Sequence, residues 1–71
     1  MSTQHKDLGG GFLQFEAPVG PIIINSFNII SILPYKEIGK AIITLEGGSS
    51  PIEVIVNGSI SAIGIFLESI Q

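Results

Sequence analysis

The sequence predicts a small, mainly β domain of the α+β class: a small antiparallel sheet of four to five short strands with a short C-terminal helix. Three observations predict it. Fifteen residues are isoleucine, against five leucines and three valines, and β-branched side chains are stiff at χ1 and pack well on a pleated surface. The apolar runs are short and are separated by Gly, Pro, Asn and Ser, the residues of turns. Towards the C-terminus the apolar spacing lengthens to three and four residues, the period of a helix face.

Residues 1–11 are polar and end in Gly9-Gly10-Gly11, a composition that predicts a flexible N-terminal arm ahead of a single domain over residues 12–71. The triple glycine lacks the Lys-Ser/Thr pair and the preceding strand of a phosphate-binding loop. Phe12–Ala17 reads as the first strand, with Leu13, Phe15 and Ala17 on one face and Phe12, Gln14 and Glu16 on the other. Pro18-Val19-Gly20-Pro21 predicts a turn, because two prolines fix φ and withhold two amide donors. Ile22–Ile24 forms a second strand, and Asn25–Asn28 a corner in which Asn and Ser bond their own backbone and Phe27 folds onto the core.

Ile29–Leu33 is the third strand, ended by Pro34, with a polar hairpin loop over Tyr35–Lys40. Ala41–Glu46 is the fourth, directing Ala41, Ile43 and Leu45 inward. A Gly47–Ser50 turn leads to the fifth strand, Ile52–Val56, with Ile52, Val54 and Val56 inward. The last segment admits two readings. As a helix capped by Asn57 or Ser59 it aligns Ile60, Ile63, Leu67 and Ile70; as a strand over Ser61–Leu67 it aligns Ile63, Ile65 and Leu67. The helix is preferred, although Gly64 costs it about 1 kcal/mol.

With 71 residues the chain is near the lower size limit for independent folding. It has no cysteine, which removes disulfides and thiolate metal sites, and its one histidine, His5, lies in the polar N-terminal segment. Oligomerisation is then the remaining route to extra stability, and a homo-oligomer is expected. The net charge of −3 includes only three lysines and no arginine. Nucleic-acid affinity comes largely from cationic contacts to phosphate, so nucleic acid is an unlikely partner unless a ring of subunits gathers Lys36 and Lys40 on one rim. No apolar run approaches the roughly 20 residues of a membrane-spanning helix. Residues 1–11 lack the apolar core of a secretory signal, so cytoplasmic residence is expected.

From Ile22 onward the order is apolar strand, Asn-containing corner, Ile29-Ile30-Ser31-Ile32, polar loop, Ile42-Ile43-Thr44-Leu45-Glu46-Gly47-Gly48, Ile52-Glu53-Val54, and an amphipathic end opened by Ser59. This layout, over about 50 residues, resembles the small FlbD-type proteins associated with bacterial flagella. It is also similar, more distantly, to the DNA-binding LytTR domain, from which this chain departs in being shorter and acidic. The resemblance implies a fold and carries no functional residue across.

Little chemistry is on offer. Glu46 and Glu53 flank the Gly47–Ser50 turn and come near one another on the outer face, where solvated carboxylates also discourage edge pairing. The serines lack a histidine base in the ordered part, and Lys36 and Lys40 sit in an exposed loop. No catalytic residue, cofactor or metal is expected, and the chain is read as not an enzyme. The expected function is a non-catalytic, self-associating interaction or structural module. Phe12, Phe15, Ile63, Phe66 and Ile70 are the expected interaction residues, and Phe12–Ala17 or Ile22–Ile24 could pair at a strand edge. The alternatives are an oligomeric nucleic-acid-binding or regulatory module and, behind it, a binder of small apolar ligands.

Overall fold

A computed structural model describes residues 5–70. Six antiparallel strands form two three-stranded sheets, followed by one helix. The first sheet runs β1 (Lys6–Gly9), β2 (Phe12–Ala17) and β3 (Gly20–Asn25), in that order. A 3-10 turn, Ser26–Asn28, leads into the second sheet: β4 (Ile29–Pro34), β5 (Lys40–Leu45) and β6 (Ile52–Asn57). Helix α1 (Ile60–Ser69) closes the described chain.

Each sheet is a meander, so every pairing is local and its register follows from the pleat. In the first, Leu13 faces Ile24 and Phe15 faces Ile22; in the second, Ile43 lies between Ile32 and Val54. A one-residue slip would turn these side chains out to solvent. Leu13, Phe15 and Ile24 from one sheet, Ala41, Ile43 and Val56 from the other, and Ile63 from α1 form one buried cluster. Among the described residues, no polar or charged residue is buried with them. The chain thus solves the problem of a small core by stacking two apolar sheet faces and covering part of the seam with a helix.

The inward faces of the strands match the sequence pattern at Leu13, Phe15, Ala17, Ala41, Ile43 and Val56; Ile52, expected inward, is half exposed at the end of β6, and four further features differ. There are two sheets because the 3-10 turn bends the chain out of the β3 ladder; Asn25 caps it, its Oδ1 accepting from the Phe27 amide at 3.0 Å. Gly20 and Pro21 belong to β3 and Pro34 to β4, a placement open to proline only where its missing donor points away from the neighbouring strand. Lys6–Gly9, within the segment expected as an arm, is a strand paired to β2; residues 1–4 lie outside those described. Phe27, expected on the core, is 83% exposed, its ring instead covering Gly11, where a Cβ would come within 2.7 Å of it.

The C-terminal ambiguity resolves as helix. Ser59 has extended backbone and its Oγ accepts from the Ala62 amide at 3.2 Å, while the Ile63 amide donates to the Ser59 carbonyl. This is an N-cap satisfying one of the first-turn donors. No helix among the described residues is long and apolar enough to cross a membrane.

Candidate interaction surfaces

Among the described residues, eleven large apolar side chains are exposed and eight apolar residues are buried. For a monomer of this size the exposed set matters most where its members adjoin. On the outer face of the first sheet, Phe12 stands opposite Asn25 and Ile23 opposite Gln14, all on the face away from Leu13 and Ile24. Phe12 is 46% and Ile23 62% exposed. Phe27, over Gly11, stands on the side of Leu13, while Phe12 and Ile23 share one exposed apolar surface. Lys6 and Glu16 supply opposite charges beside it, paired across the ladder with Gln14 and Pro21.

The other expected interaction residues are distributed differently. Phe15 and Ile63 have no exposed surface to offer and belong to the core. Phe66 is half-buried against that core, with its ring 5.8 Å from Phe15 in an edge-on contact. Ile70 is also half-buried and, with Leu67, Leu13, Ile29, Ile32 and Phe27, lines a cleft of about 440 Å³ between the helix end and the sheets. Only Phe12 of the five is an exposed side chain. Ile23 and Phe27 escaped sequence reasoning because an apolar residue in a run of isoleucines, or in a corner, carries no sign of which way it points.

A second feature also lay outside the sequence reading. The His5 ring packs 4.9 Å from Phe15 and 5.6 Å from Phe66, and its Nδ1 accepts from the Glu16 amide at 3.3 Å. Its Nε2 is buried with no hydrogen-bond partner among the described residues. Gly58, at φ +112°, admits the ring: a Cβ there would meet Nε2 at 3.2 Å. Loss of solvation lowers the His5 pKa below the usual 6.5, outweighing the Asn57 backbone and the Glu16 carboxylate, which both raise it.

The polar side chains are committed to local tasks. Lys40 pairs with Glu37 at 2.9 Å, and Lys36 Nζ stands 6.0 Å from the Tyr35 ring. Ser59 caps the helix and Ser69 Oγ donates to the Phe66 carbonyl at 2.7 Å. Glu53 pairs across the ladder with Thr44, and Glu46 lies beyond the end of β5, so the two carboxylates are not cross-strand partners. Among the described residues no three His, Cys, Asp or Glu side chains gather as a metal site would require.

Comparison with protein families, with characterised proteins and with solved structures finds no match. The surfaces themselves are therefore the ground for a functional reading.

Proposed function

We propose that this protein is a non-catalytic interaction module that associates with itself through the outer face of its first sheet. The observation that carries this reading is the joint exposure of Phe12 and Ile23 on the outer face of the first sheet, with Lys6 and Glu16 on the same face. Burying such side chains fully is worth roughly 1.5–3 kcal/mol each. Two copies bring four of them, on the order of 5 kcal/mol gross for partial burial, against an association cost of about 4–15 kcal/mol. The resulting affinity falls in a weak range, so association depends on concentration. The nucleic-acid alternative has less support, because Lys40 is already paired with Glu37 and no cationic groove accompanies the aromatic rings.

Light scattering on the eluting protein tests this directly. Over a hundredfold range reaching millimolar concentration, the mass of the 7.5 kDa chain should rise to a fixed multiple. Phe12→Ser combined with Ile23→Thr should hold it at the monomer value. A native protein that stays monomeric throughout overturns the proposal.

A further inference from the structure

The four outer sheet edges are not equivalent. In an antiparallel pair the N–H and C=O of one residue point to the same side, and the side alternates along the strand. The Ser26 amide donates to Gly11, so within β3 the groups of Pro21, Ile23 and Asn25 face away from β2. The Tyr35 amide donates to Lys40, so within β4 Pro34 and Ile32 face away from β5. Each of these free edges therefore carries a proline on its open side, and β4 has a register shift as well. The β1 edge is four residues long, begins with Lys6 and Asp7, and has an irregular register. Proline, charge, shortness and bulges are the means by which proteins protect edges from added strands.

β6 has no proline and no register shift within Ile52–Asn57, although Pro51 precedes it and Glu53 places a single charge on its outer face. The Gly58 amide donates to Gly39, which places Glu53, Ile55 and Asn57 on the open side. No strand lies beyond β6, and among the described residues the Glu53 and Ile55 backbones bond to nothing outside β5. Towards Asn57 the edge is approached by His5, whose ring lies against Gly58. The open window is thus Glu53–Ile55.

Beside that window lies an apolar cavity of about 310 Å³, lined by Ala17, Pro18, Val19, Ile22, Val54 and Ile55. It continues the space between the two sheets, since Ala17, Ile22 and Val54 all belong to inward-facing rows. Val19, at the tip of the β2–β3 turn, is 91% exposed there. On the opposite face of the same edge stands the Glu53 carboxylate.

We infer that the β6 edge receives an extended peptide segment of a partner protein, in which a large aliphatic residue is followed by a basic one. The unpaired groups of Glu53 and Ile55 bond the peptide backbone. The aliphatic side chain, opposite Val54, enters the cavity and extends the core; the basic side chain, opposite Glu53, pairs across the ladder. Backbone bonding supplies affinity and the alternating side chains supply selectivity. This goes beyond self-association through the first sheet and uses a different surface.

The test uses the full chain, ¹⁵N-labelled, at low salt and micromolar concentration, with the peptide acetyl-Ser-Thr-Leu-Lys-Ser-amide and its counterpart with Glu in place of Lys. The Lys peptide should shift the Glu53, Ile55 and Val19 amides, slow exchange of the Ile55 amide, and bind at least tenfold more tightly than the Glu peptide. Glu53→Lys should reverse that preference, and Val19→Glu, at an exposed turn position, should weaken both peptides. Absence of shifts at millimolar peptide, shifts confined to the Phe12 face, or equal binding of the two peptides overturns the inference. So does an Ile55 amide that is protected without peptide in proportion to protein concentration, since the occupant would then be a second copy.

Discussion

His5 Nδ1 accepts the Glu16 amide hydrogen, so the neutral ring carries its proton on Nε2. Protonation would place a hydrogen on Nδ1, facing that amide, and would bring a charge into the contact with Phe15 and Phe66. Both effects oppose the charged form, in agreement with a folded pKa below 6.5. The unfolded chain therefore binds the proton more readily than the folded one, and stability rises with pH across this range. The His5 contribution is complete above about pH 6.5 and is lost as pH falls through the lower, folded value. Urea unfolding at pH 7.5 and at successive steps down to pH 5 should show declining stability in the native protein. His5→Gln should show a shallower decline over the same steps, and identical slopes would refute the role assigned to the imidazole. Nothing in the sequence marked this residue. Its partners lie at positions 15, 16 and 66, and packing between distant positions is not encoded in the composition around a single histidine.

Elements were legible in proportion to how local their determinants are. The Ser59 cap and the apolar spacing after it are within one turn of each other, and both are realised in α1. Two substitutions measure that locality. Ser59→Ala removes the acceptor of the Ala62 amide and should cost about 1 kcal/mol. Gly64 has open space around it and no positive φ, so Gly64→Ala should stabilise by about 0.5–1 kcal/mol. Thermal melts should move in opposite directions for the two; a fall for Gly64→Ala would mean that the helix is not limited by its own propensity. Strand faces were legible for the same reason, since Leu13, Phe15 and Ala17, or Ala41 and Ile43, declare themselves by alternation alone. The division into two sheets was not, because it depends on whether β3 and β4 pair across the 3-10 turn. Nor was the fate of Phe27: the Asn25 side chain fixes the turn, but not the direction of the ring that follows it. Pro21 and Pro34 were read as breakers because the sequence does not show which side of a strand meets a neighbour.

At the scale of the molecule, the buried cluster of seven residues must hold a chain whose total stability, at typical values per residue, is only about 4–10 kcal/mol. Phe15 is its largest fully buried side chain and touches both His5 and Phe66. Phe15→Ala should cost about 3–5 kcal/mol, which leaves a substantial unfolded fraction at low concentration. Association adds to apparent stability by mass action when only the folded form associates. The same variant should therefore regain structure as its concentration is raised, with a melting temperature that climbs in step. Adding Phe12→Ser and Ile23→Thr to Phe15→Ala should remove that recovery, because the surface supplying it would be gone while the core defect stays the same. Circular dichroism melts at matched concentrations distinguish the outcomes. A Phe15→Ala melting temperature independent of concentration would show that the first sheet's outer face adds nothing to folding, and that its exposed side chains are tolerated by a core sufficient on its own.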